Sequence, residues 1–291
     1  MTAEETIRRG RREVRLTKLD RVLWPESGIT RRALFDYYAA VAPVLLPHVR
    51  NRPFTIRRHY TVPRGPYEWV KDAPPEAPDW LPRCPQPARS RGGAIVDYLL
   101  VNDELGLLWV LEYGAVDLHV WSSRCDRPER PDYVLFDVDP ESGAGFDAAV
   151  ATAQVVREAL HALELDSVAR TSGGEGLHVL VPIARRHTHE EARRFAQVVA
   201  QAIRRAYPRL GASIDTKMNG HGQQFVAPYS VRPLPGAPVA TPLRWDDVRP
   251  GLDPGAFSLA TVLERVERFG DLHAPLLHGR QRLDRALAPS Y

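Results

Sequence analysis

The sequence predicts an α/β (α+β) fold, and three observations carry that prediction. Short runs of β-branched and aromatic residues bounded by turn residues recur in the middle of the chain, at 116–121, 133–139 and 177–183, as strands require. Longer segments with apolar residues every three or four positions alternate with them, at 146–163 and 188–206, as amphipathic helices require. The 291 residues are 44% hydrophobic and 26% charged, the balance of a chain that buries a core and far from that of disorder.

Taken in order, the first helix is expected over 30–46, with Thr30 as its cap, Leu34, Tyr37, Tyr38, Val41 and Leu45 on one apolar face, and Pro47 closing it. Residues 60–93 are crowded with prolines and read as a boundary or an irregular, substrate-facing segment. Strands are expected at 107–112, 116–121 and 133–139, together in one sheet. A helix follows on Phe146, Val150, Ala153, Val156 and Leu160. Residues 167–171 and 177–183 then pair as a hairpin around Ser172-Gly173-Gly174-Glu175-Gly176. Thr188 and Glu191 form a capping box for a helix reaching about residue 206. A strand pair around 213–216 and 224–228 and a helix over 258–268 complete the set, and the tail from Asp271 is left unassigned. The chain reads as a single domain, 1–291, with lobes at 1–95 and 96–270 and a tail at 271–291.

Composition narrows the class. No stretch approaches the roughly 20 apolar residues of a membrane helix, and the charged N-terminus has no apolar segment behind it, so no membrane partner is expected. Two cysteines, Cys84 and Cys125, are too few for a disulfide framework or a cysteine-based zinc site, so a reducing, cytoplasmic setting is expected. The net charge is only +3, but the basic residues are unevenly placed. Residues 49–64 carry Arg50, Arg52, Arg57, Arg58, His59 and Arg64 with no acid among them, a pattern that suits a phosphate-bearing partner.

The sharpest chemical signal is Asp137-Val138-Asp139 at the end of an apolar strand. Residues i and i+2 of a strand share a face, so both carboxylates converge at the sheet's rim and call for a cation. Hard oxygen ligands without cysteine or a histidine cluster favour Mg²⁺ or Mn²⁺. Asp215, at the end of another β-like stretch, supplies a third acid. Two divalent ions on such a set suit phosphoryl or nucleotidyl transfer. In the hairpin loop, Ser172, Gly173 and Gly174 bring backbone N–H groups and a hydroxyl to where a phosphate could lie. His178 and His119, each on a strand, are further candidate donors, His119 on a strand expected beside that of Asp137.

In order and spacing, Asp137-Val-Asp139, Ser172-Gly-Gly-Glu-Gly-Leu-His178, Asp215 and Ala227-Pro-Tyr-Ser-Val-Arg232 resemble the polymerase domain of bacterial ligase D, of the archaeo-eukaryotic primase superfamily. Arg21-Val-Leu-Trp-Pro25, Gly28-Ile-Thr-Arg31 and Lys71-Asp-Ala-Pro74 extend the likeness over about 16–243. The resemblance implies a primase-like catalytic β-sheet lobe flanked by helices and an N-terminal α/β lobe that binds DNA. It implies a template-dependent nucleotidyltransferase that prefers ribonucleotides, uses two Mn²⁺ or Mg²⁺ ions and acts at broken or gapped DNA with a 5′-phosphate. NTP or dNTP would be its substrates, and Ku and a DNA ligase its partners, in the cytoplasm at the nucleoid.

Carried over residue by residue, the resemblance makes Asp137, Asp139 and Asp215 the metal ligands. Ser172, Gly173, Gly174, His178, His119, Arg232 and Arg57 would hold the nucleotide, with Trp69 under its base. Arg21 and Arg31 stand where the family grips the 5′-phosphate with lysines. Glu175 stands where the family has a lysine in the Gly-rich loop, and Lys217 is the candidate to replace that charge. The chain is expected to act alone and to recruit its ligase, or to serve gap filling in excision repair. A DNA-end-binding and synapsis module with weakened catalysis is the alternative that Glu175 raises. A metal-dependent nuclease or phosphatase would share the carboxylates without needing Trp69.

Overall fold

In the computed structural model, residues 3–88 and 92–284 are described; the end of the tail, 285–291, lies outside them. The chain forms two compact units: residues 1–121, 224–239 and 255–270 in the first, and 122–223, 240–254 and 271–291 in the second. The units interleave along the sequence, unlike contiguous lobes at 1–95 and 96–270, because residues 95–120 hydrogen-bond into a sheet begun earlier in the chain.

The first unit opens with two hairpins, β1 (Glu5–Arg9) with β2 (Arg12–Leu16) and β3 (Val22–Trp24) with β4 (Ile29–Thr30). Helix α1 (Arg31–Val49) follows, capped by the Thr30 side chain, which accepts the Ala33 N–H. It runs past Pro47, where closure was expected, because Pro43 and Pro47 are four apart and Pro47 leaves only the Pro43 carbonyl without its helical donor. The Arg50 N–H still reaches the Leu46 carbonyl at 2.9 Å, and Val41, Leu45 and Val49 are fully buried.

Strands β5 (Phe54–His59), β6 (Tyr67–Val70), β7 (Arg83–Pro87) and β8 (Ile95–Leu99) come next, so the proline-rich segment contributes two strands where irregular chain was expected. Residues 107–112, expected as a strand, belong to helix α2 (Glu104–Glu112), capped by Asp103, which accepts the Gly106 N–H. Leu105, Leu107, Leu108, Val110 and Leu111 are all buried, and an element apolar on every side has no periodicity to separate helix from strand. Strand β9 (Ala115–Val120) completes this part of the unit.

The second unit is built on β10 (Tyr133–Pro140), α3 (Phe146–Ala162), β11 (Val168–Thr171), β12 (Leu177–Pro182), α4 (His189–Ala206) and β13 (Ala212–Asp215). The expected hairpin of β11 and β12 and the Thr188–Glu191 capping box are both present. Later come β14 (Phe225–Val226), β15 (Pro242–Leu243) and α5 (Leu259–Phe269), the last two in the second and first units respectively. The first unit's large sheet runs β14-β9-β5-β8-β7, with β6 on β5, and the second's is antiparallel in the order β13-β10-β12-β11-β15.

That division corrects two expectations. Strands β9 and β10 lie in different sheets, and β13 and β14 do not pair: β13 joins β10 and β14 joins β9. Local pattern fixes a strand's existence, while its partner depends on contacts distant in sequence. In the second unit Phe136 stacks edge-on with Phe195 of α4, so the helices cover one sheet face and the alternation along β10 turns Asp137 and Asp139 to the other. Neither Cys84 nor Cys125 is a free thiol. Among the described residues no helix is long and apolar enough to cross a membrane.

Candidate functional site

Strand register builds an acidic row in the second unit. Asp137 on β10 is paired with Asp215 on β13 to one side and with His178 on β12 to the other, and His178 is paired in turn with Arg170 on β11. Directly opposed residues share a face, so Arg170, His178, Asp137 and Asp215 form one row across four strands. The buried Arg170 donates its Nε–H to Nδ1 of His178 at 2.9 Å. The imidazole proton is therefore on Nε2, 3.2 Å from Oδ1 of Asp137. Asp139 lies exposed two residues along; burial of part of its carboxyl and the nearby Asp137, Asp215 and Glu175 raise its pKa.

The donor set fits a hard divalent cation, since the charges of Asp137 and Asp215 that press on the Asp139 carboxylate would be relieved by one. Among the described residues no group of three or more His, Cys, Asp or Glu side chains is placed to hold a metal ion by itself. An ion of the Mg²⁺ type needs only one or two carboxylates beside water and substrate oxygens.

The Gly-rich loop is shaped by its serine. Ser172 Oγ accepts the N–H groups of Gly174 and Gly176, both at 3.2 Å, so those two amides point at the serine and not outward as expected. Gly173 has φ +71°, a left-handed conformation that favours glycine. A Cβ on Gly176 would overlap the Asp139 carboxylate and lie 2.7 Å from the Val138 carbonyl oxygen. Glu175 is exposed. Lys217 lies 3.8 Å from Asp215 as an ion pair and donates its N–H to the same side chain at 2.7 Å, which ties its charge to the acidic row and not to the loop.

The first unit holds a basic and aromatic cluster around Asp117, a residue that sequence reasoning missed. Arg57 reaches its carboxylate at 2.9 Å, His59 at 3.2 Å, His119 at 3.0 Å and Arg232 at 3.7 Å. Burial opposes the charge on Asp117, but these neighbours outweigh it and hold its pKa well below the carboxylate range. Burial lowers the pKa of His119, with Arg57 and Arg232 adding to the effect and Asp117 opposing it. The Asp-x-His alternation on β9 is the signal that could have found Asp117.

Trp69 is no core residue: it is 46% exposed. Tyr67 and His119 meet it edge-on, with ring centroids at 6.0 and 4.9 Å and interplanar angles of 84°, and Arg57 lies 4.0 Å over the Tyr67 ring. The indole is thereby fixed in orientation with surface left for a flat ligand.

A cavity of about 350 Å³ in the same unit is lined by Lys18, Arg21, Arg31, Arg58 and His59 among others. Its two predicted arginines differ in situation. Arg31 donates to the Thr17 and Glu112 carbonyls at 2.8 Å each and pairs with the Glu112 carboxylate at 3.2 Å, and burial lowers its pKa. Arg21 is exposed, and among the described residues its side chain makes one long contact, 3.4 Å to the Tyr60 carbonyl.

Comparison with known proteins places these features in context. The profile of the LigD primase-polymerase domain matches residues 30–273. A multifunctional non-homologous end joining protein LigD of Mycolicibacterium smegmatis is 33% identical over 282 residues, covering 90% of this chain and 36% of that protein. The bifunctional LigD of Bacillus subtilis is 27% identical, covering 89% and 43%. The chain thus spans about a third to two fifths of these relatives. The solved polymerase domain of Mycobacterium tuberculosis ligase D in complex with DNA superposes with a TM-score of 0.83 at 29% identity, covering 92% of this chain and 99% of that one.

Proposed function

Because the chain belongs to the LigD primase-polymerase domain family, a family of nucleotidyltransferase-type polymerases, we propose that it extends primers on a template at broken DNA ends or short gaps bearing a 5′-phosphate. The reading includes a preference for ribonucleotides and a role in end joining or gap-filling repair. The observation that carries it is the row of Asp137, Asp215 and His178 with Asp139 beside it, on the sheet face away from the helices.

In the proposed reaction the primer 3′-hydroxyl attacks the α-phosphate of a nucleotide: one P–O bond forms, another breaks and pyrophosphate leaves. Two divalent ions, Mn²⁺ or Mg²⁺, held by Asp137, Asp139 and Asp215, would ease deprotonation of the hydroxyl and neutralise charge at phosphorus. The protein's own groups divide the remaining work. Arg170 fixes the His178 tautomer, and the Nε2–H of His178 orients Asp137. Ser172 holds the glycine loop in shape. Arg57, Arg232 and His119 supply the positive and donor groups for a triphosphate, and Trp69 supplies a stacking surface that accepts any base. The cavity with Arg21 takes the 5′-phosphate of the downstream strand, and Arg31 braces its wall.

Gapped DNA and NTP or dNTP are the substrates in this reading, and Ku and a DNA ligase are the partners it entails, at the nucleoid in the cytoplasm. Replacing Asp137 and Asp139 together with alanine should abolish extension and leave DNA binding unchanged; measurable extension by the double variant would overturn the assignment. A wild-type protein that binds ends but extends only as Glu175→Lys would establish the synapsis reading instead, since Glu175 already adds to the negative charge felt by Asp139.

A further inference from the structure

We propose that Asp117 is a positioning residue for nucleotide binding, acting through the basic groups gathered on its carboxylate; the proposal rests on the reading that this cluster receives the triphosphate and base. Asp117 is 0% exposed, and an isolated carboxylate is not buried without strong compensation. The compensation here is excessive: two guanidinium groups and two imidazoles surround one carboxylate. Four basic side chains thus share a single carboxylate.

The hydrogen-bonding capacity is also incomplete. Among the described residues, Nε of Arg57, Nδ1 of His59 and Nε2 of His119 are buried and find no hydrogen-bond partner, although Nε2 of His119 lies 3.0 Å from Asp117, off the axis of a bond. Buried nitrogens left unpaired are costly and rare in a purely structural network. Several basic groups gathered on one acid, with unmatched nitrogens among them, are the arrangement that an anionic ligand completes.

The backbone is shaped to the same end. The pairing of β5 with β9 shifts register between Ile56 and Arg58, where Arg57 and Asp117 are brought together, and such irregularities redirect side chains beside functional sites. From Arg57 the influence extends to the aromatic surface, since its guanidinium lies 4.0 Å from the Tyr67 ring centre and 5.7 Å from that of Trp69. One buried carboxylate thus sets the pose of the phosphate-facing groups and steadies the base platform.

The test is steady-state extension on a gapped duplex with nucleotide varied, together with equilibrium binding of GTP followed by tryptophan fluorescence. Asp117→Asn should raise the nucleotide KM and the GTP Kd about ten-fold or more while kcat stays within about three-fold, and Asp117→Glu should recover only part of the loss, leaving KM about three-fold above wild type. A merely structural residue would lower kcat with the active fraction and leave KM and Kd unchanged, and that result in a folded Asp117→Asn overturns the proposal. Should Asp117→Asn fail to fold, Asp117→Glu decides: its longer arm displaces the basic groups, so a KM raised about three-fold supports the proposal and an unchanged KM overturns it. Arg57→Ala and Trp69→Ala in the same assay separate the two levels of inference. If neither raises KM, the nucleotide does not bind at this cluster; if both do and Asp117 variants do not, only the role of Asp117 falls.

Discussion

Arg21 and Arg31 occupy the same cavity, and their surroundings predict opposite consequences of removal. Arg31→Ala deletes two charge-assisted hydrogen bonds to carbonyls, each 2.8 Å, and an ion pair whose side chains are 15% and 21% exposed. Glu112 keeps the Thr17 hydroxyl at 2.7 Å and the Thr17 N–H at 3.1 Å, so its carboxylate is not stranded. At roughly 1–1.5 kcal/mol for each lost bond, the variant should be about 2–3 kcal/mol less stable. Arg21→Ala removes one 3.4 Å contact from an exposed side chain, so its stability should stay within about 0.5 kcal/mol of wild type. Its loss should appear in recognition: one charge-assisted bond to a phosphate, about 1.4 kcal/mol, is a ten-fold fall in preference for a 5′-phosphorylated gap. Urea unfolding measures the first quantity. Fluorescence anisotropy at fixed salt, with gapped duplexes differing only in the 5′-phosphate, measures the second. Arg21→Ala losing as much stability as Arg31→Ala, or keeping the full preference for the phosphate, would refute this division of labour.

Three further outcomes are expected. Gly176→Ala should destabilise the second unit by about 1–3 kcal/mol and weaken extension, because the added methyl overlaps the Asp139 carboxylate; unfolding and extension rates on the same preparation check both. Trp69→Ala should raise the nucleotide KM about ten-fold, in line with the roughly 1–3 kcal/mol of a base stacked on an aromatic ring, and should do so for all four bases alike. The depressed pKa of His119 means that the folded protein resists a proton that the unfolded chain accepts. Its contribution to stability is therefore present above about pH 6.5 and is lost as pH falls below that value toward the folded pKa. Urea midpoints from pH 7.5 to 5.5 should decline, and the decline should shrink in His119→Gln.

Much of this was legible because local chemistry and local structure agree. The Thr188–Glu191 capping box, the hairpin around Ser172–Gly176 and the two-residue spacing of Asp137 and Asp139 are signals contained within a few residues, and each has its expected form. What escaped depends on contacts across the chain. Helix α2 reads as a strand from sequence because it is buried nearly all round. Sequence alone puts the strand of His119 beside that of Asp137, yet β9 pairs with β5 and β14 in one unit while β10 pairs with β12 and β13 in the other. Asp117 and Arg170 were not singled out at all: a buried acid amid bases and a buried base behind a histidine have no sequence signature until strand register assembles their partners. Likewise Arg21 and Arg31 look equivalent in sequence, and only the position of Glu112 distinguishes a brace from a ligand-facing group.

The central claim is template-directed nucleotide addition, and primer extension on a short-gap duplex with a 5′-phosphate tests it most directly. With Mn²⁺ or Mg²⁺ and each nucleotide supplied singly, the wild-type protein should add the nucleotide complementary to the template base, follow that base when it is changed, and prefer ribonucleotides to deoxyribonucleotides. Addition that ignores the template, or none with either metal, would contradict the account.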